Sequence, residues 1–506
     1  MMICARAALI SALVLCFSAT DACAARRAKA PAKGPTYTVE TVTFTGIVSP
    51  RFSALKAAWT QMAPGGALEA RAIIEGVNCP EIVLDLHRSM MQTRAAADGK
   101  FLTVCAATVP AGTKQAALAF RRYNTELPSV GSGAEAQWAW FEKETGIKPP
   151  SATASRWEWL DWQRLIDSKA RFDIVPLALA VSDPQRILVL GDTGCRIKGK
   201  ELQACSNPAD WPFPVLAAQA ARLKPDLVIH VGDYLYRENA CPADFKGCEG
   251  TPFGDNWPTW DADFFAPAAP LLAAAPWVMV RGNHEDCNRA APGFLRLIGP
   301  LAYDPAAACP QHMAPFAIPL QSLNLVVGDD VDVGEKTLVE KAVPVYAQEF
   351  ADLAKSPSPT WLLMHRPIWG LVTGPLGLPA GGNLTLMAAG EHGIPSPVTL
   401  MLSGHIHTFE AINYAPANHV PPQIVAGFGG DRLDPTPANL SGAIFQGSTG
   451  VHVKDGLSIG GFGFLLLSKT ADAWTIDVYD AEGRIQRQCL FQNGRVDCPA
   501  AAKKHH

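Results

Sequence analysis

Five apolar runs, at residues 187–190, 227–231, 277–280, 361–364 and 398–402, each lead straight into a short polar cluster. Runs of four or five apolar residues without alternation read as strands covered on both faces. The clusters are Gly191-Asp192-Thr193-Gly194, Gly232-Asp233-Tyr234-Leu235-Tyr236, Gly282-Asn283-His284-Glu285, the His365 that ends Leu362-Leu363-Met364-His365, and Gly404-His405-Ile406-His407. Four of them begin with glycine, which permits a sharp turn and close backbone approach. Side chains at the carboxyl ends of such strands gather along one sheet edge, where open α/β sheets build their sites. Here the gathered groups are carboxylates, an amide, imidazoles and a phenol, a donor set for hard or borderline metal ions.

Helix-like segments at 211–223 and 267–274 separate these runs, so residues 181–498 read as an α/β domain. Residues 461–467 and 474–479 read as hairpin strands that close the sheet. Upstream the pattern changes to a period of two, as in Tyr37-Thr38-Val39-Glu40-Thr41-Val42-Thr43-Phe44, with Gly and Pro punctuation. That predicts a small, mostly β domain over 36–122, a packing or surface-binding module without a catalytic constellation. Residues 123–180 read as a Trp-rich helical connector. Trp138, Trp140 and Phe141 lie in one stretch; Trp157, Trp159, Leu160, Trp162, Leu165 and Ile166 lie in the next. Amphipathic helices burying large side chains explain these aromatics better than a sugar platform does.

The 506 residues exceed what one hydrophobic core organises, in keeping with two or three domains. A net charge of −4, with no basic tract beyond Arg26-Arg27 and Lys503-Lys504, gives no indication of a nucleic-acid or anionic-membrane surface. Any anionic substrate must therefore be captured by local charge. Residues 1–24 read as a signal peptide: Arg6, an apolar stretch at 7–19 too short to span a bilayer, then Ala22-Cys23-Ala24 as cleavage site. This predicts a periplasmic or secreted protein without a stable membrane anchor. A basic, Pro- and Ala-rich linker follows at 25–35, and residues 499–506 read as a disordered tail. Ten cysteines remain beyond the leader, an even number suited to an oxidising compartment. They fall into the neighbouring pairs Cys79/Cys105, Cys195/Cys205, Cys241/Cys248, Cys287/Cys309 and Cys489/Cys498. Neighbour pairing is the simplest connectivity, although the sequence leaves it open.

The order Asp…Asp…Asn-His…His…His-x-His, over about 186–479, resembles the calcineurin-like metallophosphoesterase superfamily. In the first motif Gly194 stands where most members carry a histidine, and in the second Tyr236 follows Asp233 by three residues. That combination is similar to the purple acid phosphatases. The resemblance implies a β-sandwich flanked by helices, preceded here by the smaller β domain. It implies two metal ions: one held by Asp192, Tyr236 and His407, the other by Asn283, His365 and His405, with Asp233 bridging. A phenolate favours a trivalent ion such as Fe(III), and neutral imidazoles suit divalent Zn, Fe or Mn. The implied reaction is attack of a metal-bound hydroxide on a phosphate monoester, with His284 protonating the leaving oxygen.

Around these motifs, Arg237, Arg289 and Arg366 read either as phosphate grips or as partners of ordinary ion pairs. Glu285 either orients His284 or belongs to the turn. Arg366-Pro367-Ile368-Trp369 after His365 lacks the further histidines of the plant-type members, so the substrate pocket is not carried over. A phosphodiesterase or phospholipase-like hydrolase with the same metals is the alternative. A binding protein with a vestigial metal domain is a third reading, against which the complete ligand set speaks. Nothing in the sequence indicates an oligomeric state. Gly456-Leu457-Ser458-Ile459-Gly460 matches a nucleophile elbow but lacks the helix that motif needs, and reads as a hairpin turn. His230, inside an apolar run, reads as a core histidine, and His87, His312, His392, His419 and His452 as structural or surface residues.

Overall fold

The computed structural model describes residues 55–85, 87–121, 172–334, 336–374, 377–415, 419–445 and 450–499. The signal peptide, the linker, residues 123–171 of the Trp-rich connector and all but the first residue of the tail lie outside the described residues. Two sheets face each other across one apolar layer, and helices cover their outer faces. The central strands show why their sequences do not alternate. Ile187 and Val189 of Arg186–Leu190 lie in the layer between the sheets with Leu325, Leu363 and Leu402. Their neighbours Leu188 and Leu190 pack outward on Phe213 and Leu216 of the helix Phe213–Arg222 and on Leu271 of Ala266–Leu272. On the other sheet, Leu362 and Met401 pack outward with Tyr346 and Phe350 of the helix Val343–Asp352. Each such side chain contributes roughly 1.5–3 kcal/mol by leaving water, whichever face it takes.

Three parallel strands, Arg186–Leu190, Leu227–His230 and Trp277–Met279, form the middle of the first sheet, with Leu190, His230 and Met279 in register. In the second sheet Asn324–Val327, Thr360–Leu363, Val398–Ser403 and Gln423–Ala426 run parallel, with Val327, Leu363, Leu402 and Ile424 in register. The carboxyl ends therefore come level within each sheet. Gly463–Lys469 and Trp474–Asp480 form the expected hairpin, and the first of them extends the sheet beside Arg186–Leu190.

The described part of the N-terminal region is mostly β, while residues 36–54, with the alternating stretch at 37–44, lie outside the described residues. Leu55–Met62 joins the first sheet beside Trp277–Met279 through Gln61 and Trp277, and Leu68–Ile74, Thr103–Val109 and Gln92–Ala95 continue it. His87–Met90, Glu81–Leu84, Ala116–Arg121 and Phe172–Pro176 make a separate four-stranded sheet. The Gly-x-Ser-x-Gly stretch differs from expectation. It lies mostly within the strand Val453–Ile459, paired antiparallel with Phe409–Tyr414, and only Gly460 begins the turn. Ser458 donates its hydroxyl to the Pro437 carbonyl, and the next element is the strand Gly463–Lys469 rather than a helix, so this is not a nucleophile elbow. All five neighbouring cysteine pairs are disulfides. Among the described residues, no helix is long and apolar enough to cross a membrane.

Candidate metal centre

The clusters meet where the two sheets' carboxyl ends converge, and the backbone there is strained. Among the described residues six non-glycine residues have positive φ, and three of them are Asp192 (55°), Asp233 (60°) and His405 (69°). Each follows a glycine. Such conformations cost on the order of 1–3 kcal/mol and persist where the surroundings over-determine them. Here Asp192 N–H donates to Gly232 O at 3.0 Å, His405 N–H to Asp192 Oδ2 at 2.9 Å, and His284 N–H to Asp233 Oδ1 at 2.8 Å. Two glycines make this approach possible. A Cβ on Gly282 would stand 2.1 Å from Asp233 Oδ1, and one on Gly404 would stand 2.4 Å from Asp192 Oδ2. No other residue fits either position.

The side chains form two groups that share one atom. The Tyr236 hydroxyl lies 3.0 Å from Asp192 Oδ1, 3.2 Å from His407 Nε2 and 2.8 Å from Asp233 Oδ2. In the second group, His365 Nε2 lies 3.1 Å from Asn283 Oδ1 and 3.1 Å from the same Asp233 Oδ2. One ligand atom each of Asp233, His365 and His405 falls within 4.8 Å of the others. All of these residues are buried except His405, which is half-buried. The ring orientations are fixed from behind. His365 Nδ1–H donates to Val231 O at 2.8 Å and His407 Nδ1–H to Arg432 O at 2.7 Å, so both Nε2 lone pairs face the centre.

The electrostatics suit cations. Burial opposes charging of His365, yet Asp233, Asp192 and Asp330 raise it to about 10. His407 is likewise raised to about 10, against burial, by Asp431, Asp192 and Asp434. Burial, then Asp192 and Asp233, push the Tyr236 phenol well above its ordinary range. A cation bound beside it would pull the other way and favour the phenolate. Imidazoles, carboxylates, an amide and a phenol around a shared carboxylate oxygen fit a pair of such ions.

Every arginine next to a motif is tied to a carboxylate. Arg237 Nε donates to Asp263 at 2.5 Å, Arg289 pairs with Glu238, and Arg366 contacts Asp330 at 3.5 Å. The ion-pair alternative therefore holds for all three. The Glu285 carboxylate makes no hydrogen bond to the His284 ring. Its Oε1 accepts Tyr234 N–H at 2.9 Å and its Oε2 Gly282 N–H at 3.1 Å, which clamps the turns of the second and third motifs together. Glu238 orients His284 instead, with Oε1 2.8 Å from Nδ1. Arg289 Nη2 also lies 2.8 Å from that nitrogen, which cannot both donate and accept. We place the proton on Nδ1, donating to Glu238, because that carboxylate accepts from both neighbours. Against burial, His284 and Arg289 hold Glu238 at about 2.

His230 is the core histidine its surroundings predict. Gly232 N–H donates to Nδ1 at 3.2 Å, Nε2–H meets Thr193 Oγ at 3.0 Å, and burial keeps the ring neutral. His312 bonds Glu349 at 2.7 Å, His419 bonds Ile394 O, and His87, His392 and His452 are exposed.

Sequence reasoning missed Glu238, Asp263 and the loop that carries Asp431. Asp263 lies in the helical turn Asp261–Phe265, where nothing local marks it. Its carboxylate accepts the N–H groups of Cys195 (3.0 Å), Tyr236 (2.8 Å) and Arg237 (3.0 Å), so it fastens the loops after the first two motifs to each other. Asp263→Ala strands Arg237 in a buried site and should cost about 3–5 kcal/mol in denaturant unfolding. A loss below 1 kcal/mol would show that the loops hold without it. The Asp431 loop had a readable signal: the apolar strand Gln423–Ala426 runs into Gly427-Phe428-Gly429-Gly430-Asp431. Asp431 binds Arg196 Nε at 3.0 Å and lies 3.4 Å from His407 Nδ1, and the Arg196 guanidinium sits 4.9 Å over the Tyr236 ring.

The family model for calcineurin-like phosphoesterases matches residues 185–409. No curated protein sequence matches the chain. Among solved structures it is similar to the purple acid phosphatase PPD1 isolated from yellow lupin (Lupinus luteus) seeds, at 12% identity and a TM-score of 0.51, over 89% of this chain and 77% of that one. It is also similar to PhoD, at 11% identity and a TM-score of 0.48, over 90% of this chain and 94% of that one. At such identities the likeness is one of fold.

Proposed function

We propose that this chain, whose residues 185–409 match the family model for calcineurin-like phosphoesterases, is an exported phosphatase hydrolysing phosphate monoesters with two metal ions. One observation carries the reading: Asp233 Oδ2 is 2.8 Å from the Tyr236 hydroxyl of one donor group and 3.1 Å from His365 Nε2 of the other. A carboxylate so placed would serve both ions. Asp192, Tyr236 and His407 would hold Fe(III), and Asn283, His365 and His405 a divalent Zn, Fe or Mn ion. Bound there, the pair supplies Lewis acidity toward phosphate oxygens and acidifies water. Export rests on the N-terminal leader and agrees with five disulfides, which persist in oxidising compartments.

The chain itself handles the leaving group. With Nδ1 bound to Glu238, His284 turns Nε2 toward the centre, 3.9 Å from Asp233 Oδ2. Its ring is packed 3.9 Å from that of Tyr236, so orientation is fixed before substrate arrives. With Nδ1–H held by Glu238, the acid is the imidazolium: burial lowers the ring's pKa while Asp233 and Glu238 oppose that, and its second proton, on Nε2, would go to the departing oxygen. His284→Ala should keep both metals and lose on the order of 10²–10⁴ in rate on alkyl phosphates. The loss should shrink on nitrophenyl phosphate, whose leaving group needs little protonation, and equal losses on both would remove His284 from this role. Metal analysis of the purified protein, with rates on an aryl monoester and a bis-aryl diester, tests the whole reading. Two ions and monoester preference are expected; diester preference overturns the substrate class, and an inactive protein without metal overturns the function.

A further inference from the structure

We propose that Arg432 is the residue that grips the substrate phosphate, and that it biases the site toward monoesters; this rests on the phosphatase reading above. The placement follows from topology. Gln423–Ala426 runs parallel to Val398–Ser403, so the chain after it emerges at the same edge as His405. It then folds over the first motif: Gly429 N–H donates to Gly191 O at 3.0 Å and Asp431 N–H to Asp192 O at 2.8 Å. Residues 432–434 wrap His407, whose Nδ1–H donates to Arg432 O at 2.7 Å and whose N–H donates to Asp434 Oδ2 at 2.9 Å. Bond lengths along that path put the Arg432 Cα within roughly 7 Å of His407 Nε2, a distance an arginine side chain spans.

Charge accounting singles out the same residue. Arg196, Arg237, Arg281, Arg289 and Arg366 surround the site, and each is paired, with Asp431, Asp263, Asp329, Glu238 and Asp330 respectively. Their positive charge is spent on holding loops. Arg432 is exposed, and among the described residues its guanidinium has no hydrogen-bond or ion-pair partner. A chain of net charge −4, with no basic tract in its sequence beyond Arg26-Arg27 and Lys503-Lys504, must capture an anion by local charge, and this cation is placed to do so. The planar guanidinium matches two phosphate oxygens at once. A monoester dianion offers three free oxygens and a diester only two. With two ions already competing for them, the monoester gains more from Arg432.

The test uses the metal-loaded full chain with Arg432→Ala and Arg432→Lys. Arg432→Ala should retain both ions and weaken inorganic phosphate binding, read by calorimetry, by on the order of 10–100-fold. Its kcat/KM on an aryl monoester should fall by a similar factor, mainly through KM, and fall several-fold less on a bis-aryl diester. Arg432→Lys should recover part of the phosphate affinity, since a point charge remains but the two-point contact does not. Unchanged phosphate affinity in a metal-replete, active Arg432→Ala overturns the inference and leaves the phosphatase reading standing. Loss of metal in both variants also overturns it, because Arg432 would then act through His407. A wild-type protein that binds no metal and hydrolyses no ester fails the phosphatase reading itself.

Discussion

Asp233→Asn should leave the protein folded, strip both metal positions and lower phosphatase activity by on the order of 10⁴-fold or more, as for residues that act as a unit. Two features of Asp233 set this size. Oδ2 is common to both donor groups, so replacing its charge weakens two positions at once. Oδ1 accepts the His284 N–H, so the turn that carries His284, the proposed acid, is held by the same side chain. Asparagine keeps the shape and, with its oxygen toward His284 N–H, directs an amide N–H₂ at the cations. Asp192→Asn is the matched control: its contacts lie with Tyr236, His407 and the His405 backbone, so it should empty one position before the other. Metal-to-protein ratios and thermal unfolding measured on both variants decide the matter. Stoichiometric metal and near-normal turnover in Asp233→Asn would end the dinuclear reading.

The contrast between these two carboxylates shows what the sequence could and could not say. Asp192 and Asp233 were legible because each ends a buried strand after a glycine, a local pattern. The core was legible for the same reason, since uninterrupted apolar runs announce two covered faces. What holds the carboxylates in place is not local. Asp263 reaches Cys195 across 68 residues, and Asp431 reaches Arg196 across 235. Those pairings exist only because particular loops meet at one sheet edge, which no window of sequence displays. Glu238 is the intermediate case, two residues beyond Tyr236 but recognisable only once His284 stands beside it. The N-terminal strands follow the same logic. Composition and Gly/Pro punctuation suggest β there, but that Leu55–Met62 docks on Trp277–Met279 depends on which edge of the first sheet is free to accept it.

Concentrated wild-type enzyme should be purple or pink, and Tyr236→Phe should be colourless at unchanged fold. The colour would come from phenolate-to-Fe(III) charge transfer, which requires the oxygen of Tyr236 on the ion. The ring itself is fully buried, packed on His284 at 3.9 Å and beneath the Arg196 guanidinium, and phenylalanine preserves all of that packing. What it removes is one oxygen with three polar neighbours, Asp192, Asp233 and His407. Burial and the carboxylates push the phenol well above its ordinary range, so the phenolate needs an ion bound at its oxygen, and a trivalent ion draws off that proton more strongly than a divalent one. The visible band therefore reports the charge of the ion as well as its ligand. Absorption spectra and metal analysis of both proteins, with circular dichroism as the check on folding, separate the cases. A colourless wild type carrying two divalent ions would remove Fe(III) and leave Tyr236 as a hydrogen-bonding neighbour of Asp192 and Asp233. A band that survives in Tyr236→Phe would assign the colour to another group and take Tyr236 off the metal.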